Sequence, residues 1–198
     1  PIAGMDGMTA LASIYVPLDG MNEMGLCVSD LVEIDGSTEV PDTEKPDLTI
    51  VAAIRLVLDY AKNTEEAVRL LSLYDVFPSV NAAHHLAISD INENNVVVEW
   101  RNGEMRVIET SIVTNHCLSE ELESPMTGES KRRFATLQER HSGFMTYEQG
   151  LQALKDASYT EHTLWSVIYD KYSLSSTIFF DCDWNSPVTF RLSDEYDC

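Results

Sequence analysis

The chain has 198 residues, 44% hydrophobic and 23% charged, enough to bury one substantial core, so a single domain over 1–198 is expected. Lys and Arg number 13 against 33 Asp and Glu, a formal net charge of -20. Such a field repels phosphate backbones and anionic headgroups, which argues against nucleic acid and membrane as partners. The acidic residues are spread through the sequence rather than gathered in a tail, the pattern of a solvated surface, and they name no substrate.

In chain order, Ala10 to Val16 and Gly25 to Val32 are apolar, β-branched runs. They flank a turn-forming Asp19-Gly20-Met21-Asn22-Glu23, which predicts a strand pair. Residues 33 to 47 form an acidic surface loop ending at Asp47, the expected N-cap of a helix over Leu48 to Ala61. Apolar residues at three- and four-residue spacing continue after a Thr64 cap into a second helix. Alternation then predicts strands in Val80 to Asp90, Val96 to Trp100, Met105 to Glu109 and Ser111 to Asn115. Asn102-Gly103 between two of these runs fits a type I′ hairpin, which needs positive φ at both central residues. Two more helices follow, over Gly128 to Arg140 and from Thr146, where Thr146-x-x-Gln149 has the form of a capping box. Thr163 to Tyr169, Ser175 to Cys182 and Pro187 to Leu192 alternate again and predict the last strands. Runs of strands separated by runs of helices predict an α+β chain of antiparallel sheets covered by helix pairs.

Cys27, Cys117, Cys182 and Cys198 lie far apart, in neither a zinc spacing nor a disulfide framework, as expected of free thiols in a reducing compartment. The chain has no apolar run of about 18 residues, no Asn-x-Ser/Thr sequon and no basic start of a signal peptide. A soluble cytoplasmic protein is expected. It begins at Pro1 and runs into Met/Gly-rich sequence, which suggests processing or a missing upstream segment.

No Gly-rich phosphate loop, Gly-x-Ser-x-Gly elbow or His-Glu-x-x-His pair is present. Of His84, His85, His116, His141 and His162, the adjacent pair in a strand points to opposite faces and cannot share an ion, so no metal is expected. Cys117 beside His116, with His84 and His85 in a nearby strand, offers a thiolate–imidazole pair. A buried structural thiol is the commoner use of such a residue.

Three segments are more specific together: Asp19-Gly20-Met21-Asn22-Glu23-Met24-Gly25-Leu26, then Ile112-Val113-Thr114-Asn115-His116, then Ser130-Lys131-Arg132-Arg133-Phe134. In this order they resemble the "DGMNEKGL", "TN" and "SRF" signatures of the choloylglycine hydrolase and penicillin V acylase family. His84 to Asp90, Val96 to Trp100 and Thr163 to Asp170 resemble further strands of that family, so the likeness covers nearly the whole chain. It implies a four-layer αββα sandwich of the Ntn-hydrolase kind and hydrolysis of linear amide C–N bonds, with small N-acyl amines or N-acyl amino acids as substrates. No metal or organic cofactor is implied.

The family's nucleophile is an N-terminal cysteine whose α-amino group, with a pKa of roughly 7.7–8.0, moves the protons. By resemblance Asn115 donates to the oxyanion and Arg133 stands beside the thiolate. The family's second donor is an Asn or Tyr that aligns at about Val32, which leaves only a backbone N–H and names no acyl group. The cysteine itself, with its early Arg and Asp, has no counterpart here, because Cys27 is internal and has no α-amine. The chain alone is therefore expected to be inactive. An acyltransferase of the same family and a non-catalytic binding protein on the same fold are the alternatives. No feature sets a number of subunits, and a homo-oligomer is compatible with the sequence.

Overall fold

The computed structural model describes residues 16–34, 36, 38–39, 42–78, 82–120, 127–140, 145–159 and 161–195. Its elements are β1 (Asp19–Met21), β2 (Cys27–Glu33), β3 (Asp47–Thr49), α1 (Ile50–Tyr60), α2 (Thr64–Leu71), β4 (Asp75–Phe77), β5 (Ala83–Ser89), β6 (Asn95–Arg101) and β7 (Glu104–Glu109). After these come α3 (Gly128–Arg140), α4 (Tyr147–Ala157), β8 (Trp165–Asp170), β9 (Ser175–Phe180), β10 (Val188–Arg191) and α5 (Leu192–Glu195). A five-stranded antiparallel sheet runs β1-β2-β5-β6-β7, a three-stranded antiparallel sheet runs β10-β9-β8, and β3 pairs in parallel with β4.

The two-residue period of β2, β5 and β6 divides their side chains between two faces. Val28, Leu86, Ile88, Val98 and Trp100 join Ile54, Val57, Ala67 and Leu71 of α1 and α2 in one buried apolar cluster. The other face carries Cys27, Ser29, Ala87 and Val97, which look across a cavity of about 510 Å³ to Val167 and Tyr169 of β8 and Leu154 of α4. Helices α3 and α4 pack on each other, and α4 packs on β8. Helix pair, sheet, sheet and helix pair are the α+β, αββα layers expected.

Local chemistry corrected several boundaries. The segment Asp19–Met21 is itself β1, and the chain reverses over residues 22–25, where Gly25 takes φ 72°. The expected strand Ala10 to Val16 lies outside the described residues except Val16, which is a bend. Asp47 opens β3, and the N-cap of α1 is Thr49, whose side chain accepts from Ala52 N at 3.3 Å. Helix α2 is capped by Asn63, which accepts from Glu66 N at 2.9 Å, because the Thr64 hydroxyl is committed to Asp90 Oδ2 at 3.0 Å. Residues 111–115 form no strand, since the chain leaves the edge strand β7 and crosses the inner face of the sheet to reach β2. The Asn102-Gly103 hairpin stands as expected, with φ 52° and 76° and Trp100 opposite Met105. So does the capping box, with Thr146 N donating to Gln149 Oε1 at 2.8 Å and Gln149 N to Thr146 Oγ1 at 3.3 Å. Among the described residues no helix is long and apolar enough to cross a membrane.

Candidate active site at the open edge of β2

The Asp19-to-Leu26 motif is a structural corner. Asn22, buried, accepts from Met24 N at 3.0 Å and Leu26 N at 3.1 Å through Oδ1. Its Nδ2 donates to Leu58 O at 3.1 Å and Ala61 O at 2.8 Å, closing the C-terminal end of α1. Asp19 accepts from Trp165 Nε1 at 3.0 Å and Tyr169 Oη at 2.7 Å, which ties the five-stranded sheet to β8. Burial and the Asp19 carboxylate raise the Tyr169 pKa, so the phenol stays a donor. Glycine is required at position 25, where a Cβ would lie 2.9 Å from the Lys171 carbonyl and φ is positive.

This corner sets the far end of β2. Asp30 N donates to Leu18 O at 2.7 Å and Ile34 N donates to Asn115 O at 2.7 Å, so even-numbered residues of β2 turn their backbone polar groups away from β5. Val32 lies between them and shares that parity, so its N–H and C=O both face the same edge. The Asn115 carboxamide is held against that edge: Nδ2 donates to Val32 O at 2.8 Å, and Oδ1 accepts from Arg133 Nη2 at 2.8 Å. The guanidinium fixes which end of the carboxamide is oxygen, so the NH₂ group must face β2. One of its two protons is used by Val32 O, and the second is available to a ligand.

A buried brace joins the two segments that supply Asn115 and Arg133. Thr114 Oγ1 donates to Ser130 O at 3.0 Å, Ser130 Oγ donates to Thr114 Oγ1 at 2.9 Å, and His116 Nδ1 is 2.9 Å from Ser130 Oγ. The His116 ring meets Phe134 edge-on at 5.2 Å. Arg133 is half-buried on α3; burial lowers its pKa, and its Nε has no partner among the described residues. The structure thus brings Asn115, Arg133 and Val32 together, with Val32 exposed beside them and contributing backbone alone.

The thiolate–imidazole pair is not assembled. His116 is engaged with Ser130 and Thr114, while Cys117 Sγ lies 3.4 Å from Glu99 Oε2. Burial pushes Cys117 up to about 11 and Cys27 up to about 12, so both are thiols at neutral pH. His84 and His85 part to opposite faces as expected, toward Asp30 at 2.9 Å and Glu99 at 3.2 Å.

Sequence reasoning missed Glu99, a fully buried carboxylate. It accepts from Leu118 N at 2.8 Å, Ser119 N at 3.0 Å and His85 Nδ1, pinning the chain just after Asn115. Burial alone would raise its pKa, but bonds from His85, Leu118 and Ser119 outweigh that and hold it at about 2, below an ordinary 4.5. A depressed carboxylate stabilises the fold above the ordinary value and loses that contribution as pH falls toward the folded one. The melting advantage of the parent over Glu99→Gln is therefore expected to shrink between pH 5 and pH 2.5, read by thermal unfolding. An advantage that does not change with pH would assign the stabilisation to shape rather than charge.

Residues 12–189 match the family described as acyl-coenzyme A:6-aminopenicillanic acid acyl-transferase. The chain belongs to this family. Among solved structures, a mutant of conjugated bile acid hydrolase from Clostridium perfringens is 14% identical, covers 89% of this chain and 73% of its own, and superposes with a TM-score of 0.67. Penicillin V acylase from Agrobacterium tumefaciens is 20% identical, with coverage of 88% and 66% and a TM-score of 0.67. At these identities the likeness carries the fold, that of the Ntn hydrolases. No curated protein is similar enough to match. The family match takes in the Asp19 corner, Asn115 and Arg133, the three signatures on which the resemblance to penicillin V acylases rests.

Proposed function

We propose that the protein is a cysteine amidase of the N-terminal-nucleophile type, cleaving linear amide C–N bonds in small N-acyl amines or N-acyl amino acids. The nucleophile in this reading is the cysteine of a mature N-terminus preceding Pro1, because Cys27, Cys117, Cys182 and Cys198 all follow other residues in the chain and have no free α-amine. The observation that supports the reading is the β2 edge, where Asn115 bonds Val32 O and Arg133 and where strand parity puts the Val32 N–H on the same edge, so that both can serve as donors. Two preorganised neutral donors are what a tetrahedral oxyanion requires. Arg133, a permanent cation touching Asn115, stabilises the thiolate before attack. Neither metal nor organic cofactor enters this chemistry, and free thiols and acidic surface suit a cytoplasmic enzyme that binds small molecules rather than nucleic acid. A homo-oligomer is compatible with it.

The test is expression of the complete reading frame, intact mass of the product, and amine release from a panel of N-acyl amines and N-acyl amino acids. A mature cysteine start with turnover is the expected result. A start without cysteine would turn the assignment to a binding protein on the same fold. The family description itself favours a second reading, transfer of the acyl group to an amine instead of water. Added amine acceptors that divert product from free acid to new amide would establish it.

A further inference from the structure

On the inner face of the five-stranded sheet, Glu33 of β2, His85 of β5 and Glu99 of β6 come together from three adjacent strands. They are 3%, 0% and 0% exposed. A ring nitrogen of His85 and one oxygen of each carboxylate all lie within 4.8 Å of one another. With metal–ligand bonds of about 2.0–2.2 Å, the donors of a tetrahedral site lie about 3.4 Å from one another. The 3.2 Å between His85 Nδ1 and Glu99 Oε1, a hydrogen bond, is close to that spacing, and on coordination the ion takes the place of the proton between them, which passes to Nε2. Glu33 Oε2, buried in this cluster, has no hydrogen-bond partner among the described residues. Orphaned polar atoms of this kind are rare in native interiors and call for an occupant.

We propose that this cluster is a structural site for one divalent transition-metal cation of zinc type, held by Glu33, His85 and Glu99 and completed by the Cys117 thiolate. Nitrogen, oxygen and sulfur donors in a closed, buried setting suit zinc, whereas calcium and magnesium take six or more oxygens. Cys117 Sγ is already 3.4 Å from Glu99 Oε2, and on coordination its proton leaves to solvent. Arg101 holds Glu33 Oε1 at 3.2 Å and leaves Oε2 for the ion. Charges then balance, because two carboxylates and a thiolate offset the divalent ion and the Arg101 guanidinium within one buried unit. The pairing of His84 and His85 never pointed here, since carboxylates from β2 and β6, not a second histidine, surround His85.

The test uses the folded chain, stripped with chelator, dialysed and titrated with Zn²⁺ and with Co²⁺. The expected result is one equivalent bound, a higher Tm on loading, and for cobalt both visible d–d bands and a near-UV thiolate charge-transfer band. Glu33→Gln and His85→Gln are each expected to weaken binding by at least about 10-fold. Cys117→Ser should lose the near-UV band alone, and a band that persists would overturn the fourth ligand. If the wild-type chain, folded by circular dichroism, takes up no stoichiometric Zn²⁺ or Co²⁺, the site does not exist, even should every variant fail to fold. These readouts need no turnover, so they fail independently of the amidase assignment.

Discussion

Asn115→Ala in the complete enzyme is expected to lower kcat about 10²- to 10³-fold, the loss that follows removal of one oxyanion donor. The carboxamide has two duties, one toward Val32 and Arg133 and one toward the reacting oxygen, and only the second is chemical. Its surroundings are partly open to solvent, so the first duty contributes little more than an ordinary pair of hydrogen bonds, about 1 kcal/mol each. The variant should therefore fold, with circular dichroism unchanged and Tm only slightly lowered, while turnover collapses. Asn115→Asp separates the two duties. Aspartate keeps a bond to Arg133 but presents a charge where the NH₂ group stood, so it should hold the loop and be at least as inactive as alanine. Wild-type kcat in either folded variant would remove Asn115 from the oxyanion site. Arg133 is tested in the same complete enzyme, where Arg133→Ala is expected to move the apparent pKa of the nucleophilic thiol upward in the pH–rate profile.

What the sequence made legible is what short-range stereochemistry determines. Asn102-Gly103 could be read because two successive positive φ values exclude nearly every other dipeptide, and Thr146 with Gln149 because a reciprocal cap needs only three-residue spacing. Asp47 and Thr64 read as caps in the sequence because each is a good cap by type. The choice fell to Thr49 and Asn63 through contacts sequence does not show, among them the bond from Thr64 to Asp90, 26 residues away. Asn115, Arg133 and Val32 were reached through ordered motifs, and their meeting depends on pairing between segments 83 and 18 residues apart. Glu99 gave no signal at all, since one glutamate ending a Val-Val-Val run reads as an edge residue until β5 and β7 are known to flank it. The Asp19-to-Leu26 signature, noticed as a family mark, proves to be architecture, with Asp19 and Asn22 both bonded across the fold.

That architecture has a large expected effect of its own. Asn22→Ala should cost about 2–4 kcal/mol, because it strands the carbonyls of Leu58 and Ala61 and the N–H groups of Met24 and Leu26, with Asn22 only 8% exposed. For a chain of this size that corresponds to a Tm lowered by roughly 5–15 °C. Asn22→Asp retains the two acceptor contacts yet sets a carboxylate against the carbonyl end of α1, where the helix dipole is negative, so it should be no better than alanine. Differential scanning calorimetry on both variants decides the matter. If both melt with the parent, the corner is closed by its backbone alone, and the α1 carbonyls find water. If both melt early, Asn22 is the residue that couples α1 to β2, and through β2 to the edge on which Val32 and Asn115 meet.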